Sequence, residues 1–138
     1  MNYTRVALAG FAAWIVYFVV GGLVSGILTA DYYRPYTAVY RSKDAVMSYF
    51  PIGIVGMLLA MLVLALMYAK GYEDGSGLME GLRFGLLVGL FVVGAVVGDE
   101  YVTLNIGGKL ALVMAAGRLF AWIIVGVTLG LVYKPALR

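Results

Sequence analysis

Uncharged, mainly apolar residues fill four long blocks of this chain. Two blocks of 25 residues, 6–30 and 45–69, contain no charged side chain, and two later blocks, 84–98 and 119–133, run for 15 residues each. A membrane-spanning helix needs about 20 consecutive, mainly apolar residues. The pattern therefore predicts an all-α integral membrane protein in which four transmembrane helices form a bundle.

The polar breaks between the blocks set the expected ends of the helices. We expect spans at about residues 4–29, 48–70, 77–102 and 108–133, within one transmembrane domain that covers residues 1–138. Ser48 is a candidate N-cap for the second span, with Pro51 in its first turn, and Gly71 is a favourable stop after Lys70. The Gly-rich stretch up to Ser76 is typical of a tight, exposed turn.

Composition excludes several functional classes. With 64% hydrophobic and 12% charged residues and a mean hydropathy of +0.99, the chain does not resemble a soluble domain, in which about 25% of residues are charged. The sequence contains neither Cys nor His, which removes thiolate and imidazole metal sites and haem ligation by His. We expect no metal and no cofactor. The net charge of +3 suits anionic lipid headgroups, so the expected partner is the lipid bilayer and not nucleic acid.

The distribution of cations gives a preferred orientation. Four spans place both chain ends on one side of the membrane, and the cations on that side are Arg5, Lys70, Arg83, Lys134 and Arg138. The opposite side carries Arg34, Arg41, Lys43 and Lys109. The positive-inside rule then favours both termini on the cytoplasmic side.

The connection 31–44 is rich in tyrosine and in basic residues. It contains Tyr32, Tyr33, Tyr36 and Tyr40 among Arg34, Arg41 and Lys43. Aromatic rings mixed with cations suit the headgroup layer, so we expect an interfacial segment with a short helix near Pro35. Membrane anchoring is one interpretation, and a lid over a pore or pocket is the alternative.

Glycine spacing in the third span predicts close helix packing. Four glycines recur every four residues and share one face: Gly77, Gly81, Gly85 and Gly89. Gly94 and Gly98 lie about 140° from the centre of that face in a regular helix. Small residues let membrane helices approach closely, so we expect two neighbours for this span, one of which could belong to another copy of the chain. Gly22 and Gly26 form a similar pair in the first span.

Arg118 is the sharpest functional candidate, because it lies about 15 Å deep in the fourth span. An arginine near the centre of a span costs about 2.5–3.5 kcal/mol on insertion scales, so it needs a partner or a polar cavity. Glu100 is the expected counter-ion and Asp99 the second choice, if the third and fourth spans turn near Asn105. Trp122 lies one turn further on the same face, where it could stack on the guanidinium.

Two interpretations of this buried charge site remain open. Arg118 and Glu100 could form a structural ion pair that locks the two spans together, or they could line a site for an anion or a proton. Glu80 and Arg83 form a weaker candidate pair near the inner interface, three residues apart on one helix. We interpret them as a solvated pair, with the inner mouth of a path to Arg118 as the alternative.

Two segments resemble a known group of proteins. The stretch YAKGYEDGSGLMEGLRFGLLVGLFVVG, residues 68–94, and the loop VYRSKDAVMSYFP, residues 39–51, are similar to segments of an uncharacterised family of small bacterial inner-membrane proteins with four helices. The resemblance implies four spans in a bacterial inner membrane. It implies no activity and no site residues.

Three functional hypotheses follow. The first is a non-enzymatic accessory or assembly component of a homo-oligomer or a larger membrane complex, because one helix carries two close-approach faces. The second is a small channel or carrier for an anion or a small polar solute, which uses Arg118 for selectivity. The third is a lipid- or quinone-binding module built on the tyrosine-rich loop. Since no nucleophile, general base or metal set is recognisable, we do not expect an enzyme.

Overall fold

The computed structural model describes residues 1–133 and confirms the predicted fold class. The described residues are 85% helical and contain no strand, and four of their helices are long and apolar enough to cross a membrane. These spans are Tyr3–Leu28, Lys43–Lys70, Gly77–Thr103 and Gly108–Val132. Lys134 and Pro135, which the sequence suggests as the end of the fourth span, lie outside the described residues, as does Arg138.

Two of the spans change helical type before they end. The elements are α1 (Tyr3–Leu23) with a π-helical turn (Val24–Leu28), α2 (Ala30–Tyr33) with a 3₁₀ turn (Arg34–Tyr36), α3 (Lys43–Lys70), α4 (Gly77–Val92) with a second π-helical turn (Val93–Val97), α5 (Gly98–Thr103) and α6 (Gly108–Val132). The first and third spans therefore each contain a π-helical turn near the same side of the membrane. We call that side the distal side; the opposite, terminal side carries the N-terminus and the turn at 71–76.

The second span begins five residues earlier than the sequence predicts. The cap is Ser42 and not Ser48: the Ser42 Oγ accepts a hydrogen bond from the Ala45 N–H at 3.3 Å. Pro51 consequently lies inside α3, and the Ser48 hydroxyl donates to the Asp44 carbonyl. The predicted loop 31–44 is correspondingly shorter and partly helical. The far end of α3 is as expected, because the Gly71 N–H bonds to the Met67 and Tyr68 carbonyls.

The helices pack in a row, in the order α3, α1, α6 and α4. The closest pair is α4 with α6, and the first glycine face is the reason. A Cβ added to Gly81 would lie 2.5 Å from the Gly126 carbonyl oxygen, and one added to Gly85 would lie 2.6 Å from the Trp122 carbonyl oxygen. Gly77 meets Gly130 in the same way. Backbone therefore touches backbone along this interface, and α6 is the most buried helix of the four.

The other glycine pairs, Gly94 with Gly98 and Gly22 with Gly26, contact no other helix among the described residues. No described atom lies within 4 Å of a Cβ built on Gly94, Gly22 or Gly26, and the position on Gly98 meets only the Val93 carbonyl of its own helix segment. The second face of the third span thus points away from α6, as its spacing predicts.

Side chains fill the terminal half of the bundle. The main cluster of buried residues joins α1, α3 and α6 through Ala13, Met61 and Leu129, all of which are almost fully buried. Aromatic rings close the terminal end, where Tyr68 packs edge-on against Phe84 and Tyr133. A smaller cluster of Val97, Ile106, Leu110 and Met114 lies at the distal end. Arg118 lies between these two clusters along α6.

Candidate functional site

Arg118 and Glu100 meet directly. The Arg118 Nη2 lies 2.9 Å from both carboxylate oxygens of Glu100, and it donates a hydrogen bond to Oε1. The side chains are 32% and 27% exposed, respectively, so the pair is neither fully enclosed nor open to bulk water. The Glu100 Oε2 atom is buried and accepts no hydrogen bond of acceptable geometry from the described residues. The contact is direct, as expected of a counter-ion.

The π-helical turn at Val93–Val97 helps to aim Glu100 at α6. In an unbroken α-helix, Glu100 would lie about 80° from the centre of the first glycine face. A π-helical turn holds one extra residue and rotates everything after it back by about 100°. Glu100 then comes within about 20° of the face that contacts α6. Val97 is buried against Leu110 and Met114, which fixes this part of the helix.

The Arg118 guanidinium has unused hydrogen-bonding capacity. Its Nε and Nη1 atoms carry three N–H groups. Among the described residues, the contacts of this guanidinium are those that Nη2 makes with Glu100, so these three donors have no protein acceptor. Donors at this depth in a membrane protein need an acceptor, because lipid chains offer none. The arrangement therefore has room for a ligand or for water.

A cavity of about 170 Å³ adjoins the guanidinium, between α1 and α6. One water molecule needs only about 10–15 Å³ by the same kind of measure, so the space is roughly ten times larger. Hydroxyl groups and apolar side chains share its wall: it is lined by Tyr17, Ser25, Thr29, Tyr33, Val113, Met114, Arg118 and Trp122, among others. The first π-helical turn lies beside it, and the Thr29 N–H and hydroxyl both donate to the Val24 carbonyl. The cavity can hold a small molecule with one polar end.

Two of the predicted site residues have other roles. Trp122 does not stack on Arg118: its ring packs against Tyr17 at 5.3 Å, and the cation–π contacts within residues 1–133 are Arg41 on Tyr49 and Lys109 on Tyr32. Trp122 still lines the cavity. Asp99 is exposed and forms no ion pair with Arg118, because the next residue, Glu100, occupies the inward position.

The tyrosine-rich segment folds over the distal end of α6. The Gly107 N–H donates to the Tyr36 hydroxyl at 3.0 Å, and the Tyr40 hydroxyl lies 3.7 Å from the Met114 sulfur. Tyr33 and Tyr40 pack edge-on, with ring centroids 5.4 Å apart. Burial raises the pKa of the Tyr33 phenol, with a further increase from Tyr40 that the Arg118 charge opposes. Burial, followed by the Glu100 charge, likewise raises the pKa of Tyr40. The tyrosine-rich segment therefore lies close enough to Arg118 and Glu100 for their charges to act on its phenols.

Glu80 and Arg83 do not form the predicted pair. The ion pairs found within residues 1–133 are Arg34 with Asp31 and Arg118 with Glu100. The Glu80 carboxylate instead accepts hydrogen bonds from the backbone N–H groups of Gly75 and Glu73, so it ties down the turn before α4. Arg83 is exposed on the surface of α4.

Sequence reasoning missed the residues at the distal end of the first span that line the cavity. Tyr17 lies in α1, Ser25 in the π-helical turn that follows it and Thr29 directly after that turn, and the sequence did not place this part of the chain next to Arg118. Gly117 is the signal that could have found them: the position of its absent Cβ lies 2.8 Å from a Val24 methyl group. A glycine directly before the buried arginine marks the place where α1 approaches α6.

Comparisons of the chain with models of known protein families, with curated proteins and with solved structures found no match. The family resemblance of residues 39–51 and 68–94 therefore stays a prediction. The functional argument depends on the geometry around Arg118.

Proposed function

We propose that this chain is a small membrane carrier that binds an anion or a small polar solute in the cavity beside Arg118. The observation that carries this proposal is the guanidinium itself: three of its N–H donors have no acceptor among residues 1–133, and a partly polar cavity adjoins it. An ion pair that served only to lock two helices would need no such space. Arg side chains are common selectivity charges for anions.

Binding with helix movement fits the fold better than a permanently open pore. The cavity lies in the distal half, whereas Ala13, Met61, Ala65 and Leu129 fill the terminal half almost without exposure. A solute at Arg118 can reach the terminal side only if these helices separate. The tyrosine-rich segment, which bonds to α6 through Tyr36, is placed to control access from the distal side.

Solute flux into liposomes tests the proposal. Purified protein is reconstituted, and uptake of small anions and polar solutes is compared between wild type, Arg118→Ala and Arg83→Ala. Arg83 provides a matched control because it is an exposed arginine of the same bundle. We expect uptake by wild type and by Arg83→Ala, and loss of uptake in Arg118→Ala. Uptake equal to that of empty vesicles for all three proteins would refute the carrier. Uptake by Arg118→Ala equal to that of wild type would refute the binding site at Arg118.

A second candidate function is a non-enzymatic accessory or assembly component, in a homo-oligomer or a larger membrane complex. The free face around Gly94 and Gly98 supports it, since no part of the described chain covers these residues. The distal half of α3 is also exposed, including Gly53 and Gly56. Native mass spectrometry in mild detergent tests this candidate: we expect an oligomer or a co-purifying protein, and a strict monomer would count against it.

We further propose that the chain resides in a bacterial inner membrane with both termini in the cytoplasm. The excess of cations on the terminal side supports this orientation. The sequence contains no cysteine, so single cysteines introduced into the turn at 71–76 or the segment at 37–41 can be labelled without background. A membrane-impermeant thiol reagent added outside intact cells should label the second site and spare the first. The reverse pattern would overturn the orientation.

A further inference from the structure

We infer that the cavity takes up its anion together with one proton, and that Glu100 is the group that accepts this proton. The inference rests on the proposed function and adds the charge of the substrate and its coupling. The substrate class is a small monoanion, such as a short-chain monocarboxylate. Its charged end would bind the free donors of Arg118.

The charge balance of the site is the first argument. In the anion-free state, the Glu100 carboxylate neutralises Arg118 through contacts of 2.9 Å. A monoanion that entered next to them would bring the local charge to minus one, at a depth where charges are weakly solvated. An uncompensated charge in such a place is costly. A proton on Glu100 restores neutrality, with the anion as the new counter-ion of Arg118.

Competition for one guanidinium is the second argument. Both oxygens of Glu100 contact the same nitrogen, Nη2, and Oε2 is buried and accepts no hydrogen bond of acceptable geometry from the described residues. Among the described residues, Arg118 is therefore the group that holds this carboxylate in place. When an anion draws the guanidinium towards the cavity, Glu100 loses that support and binds a proton.

The surrounding groups leave Glu100 as the proton acceptor. Tyr17 of α1 and Tyr33 of the tyrosine-rich segment line the cavity, and Tyr40 of that segment is near enough to feel the Glu100 charge. Phenols are neutral near pH 7. Helix α6 contributes Lys109, which lies over the Tyr32 ring, besides Arg118 itself. Asp99 on the same helix turn is exposed and belongs to the solvated surface. Within residues 1–133, Glu100 is the carboxylate that forms an ion pair with Arg118.

The step is a simple protonation. The proton comes from bulk water and bonds to a carboxylate oxygen of Glu100, and no bond of the anion is formed or broken. The cavity wall fits a molecule that is charged at one end only, because the apolar residues Val113 and Met114 line it together with the hydroxyl-bearing residues Tyr17 and Ser25. Carboxylates can also accept two parallel hydrogen bonds from a guanidinium.

Calorimetry of propionate binding tests the coupling. The full-length protein is placed in phosphatidylcholine nanodiscs, so that no anionic lipid competes, and titrated in buffers of different ionisation enthalpy. We expect about one proton to be taken up per propionate, with affinity falling about tenfold per pH unit where Glu100 is ionised. For Glu100→Gln, we expect no proton uptake, little dependence on pH and tighter binding than wild type at neutral pH. Asp99→Asn, the matched control, should behave like wild type.

The outcomes separate the two proposals. If neither wild type nor Glu100→Gln binds propionate or a panel of other small monoanions, the proposed function fails. If wild type binds propionate without proton uptake, or if Glu100→Gln binds more weakly, the coupling fails while the binding site stands. Should Glu100→Gln not fold, as judged by circular dichroism, the proton count of wild type still decides.

Discussion

Replacing Gly81 by alanine would place a methyl group against the backbone of α6. The added Cβ would lie 2.5 Å from the Gly126 carbonyl oxygen and 3.0 Å from the Val127 Cα, whereas ordinary contacts begin at 3.4 Å. Neither neighbouring atom belongs to a flexible side chain, so the clash cannot be relieved by a rotamer change. The helices α4 and α6 would have to separate by about 1 Å. A gap of 0.5–1 Å already forfeits roughly a quarter to a half of each dispersion contact.

We expect Gly81→Ala to lower the free energy of unfolding by about 1–3 kcal/mol, the usual cost of overpacking. The assay is unfolding in mixed micelles of dodecyl maltoside and sodium dodecyl sulfate, followed by circular dichroism. Gly53→Ala is the matched control, because no atom of residues 1–133 outside its own helix turn lies within 4 Å of its Cβ position. If Gly81→Ala unfolds within about 0.3 kcal/mol of this control, below the smallest cost expected from overpacking, then the close contact of α4 with α6 is not what stabilises the bundle.

Three further predictions concern the distal side. Ser42→Ala should lower the free energy of unfolding by about 1 kcal/mol and speed hydrogen exchange at the first turn of α3. Ser48→Ala should have neither effect, and equal effects of the two substitutions would refute the observed helix start. Tyr36→Phe should lower the free energy of unfolding by about 1 kcal/mol and speed hydrogen exchange at the Gly107 amide. Unchanged protection of that amide would contradict its hydrogen bond to Tyr36. Folding raises the pKa of Tyr40 above its ordinary value of 10.0. The protonated phenol therefore contributes to stability below pH 10, and this contribution is lost as the pH rises through the pKa of Tyr40 in the folded protein. Wild type should therefore lose more stability than Tyr40→Phe between about pH 9 and pH 11, and parallel losses would refute this.

The spans could be predicted because the bilayer imposes a length and a composition on them. The first glycine face was also predictable, since a spacing of four residues leaves few alternatives to close helix contact. Its partner was less certain, and the structure assigns α6 through Gly126 and Gly130. The predicted start of α3 was wrong, because apolar residues indicate only the part of a helix that lies in the hydrocarbon. The helix itself extends beyond this part to the cap at Ser42.

The candidate site was predictable in part. Depth and a hairpin connection were enough to suggest Arg118 with Glu100. Hydrogen bonds from side chains to the backbone could not be predicted in the same way. The sequence therefore suggested Arg83 as the partner of Glu80, whereas the Glu80 carboxylate accepts a hydrogen bond from the Gly75 N–H. The cavity depends on which helix lies next to α6, and an apolar pattern of uniform character does not specify the order of helices. The position of Tyr17 in the cavity wall therefore could not be predicted from the sequence.

The π-helical turn at Val93–Val97 divides the third span into two registers that can vary separately. Residues before it are constrained by the fit of glycines on α6, and residues after it by the position of Glu100. Loss of one residue from this turn would convert it to ordinary α-helix and swing Glu100 by about 100°, roughly a quarter of the circumference, without touching the glycine contacts. The bulge thus sets the direction of the carboxylate independently of the helix contact made by the glycines.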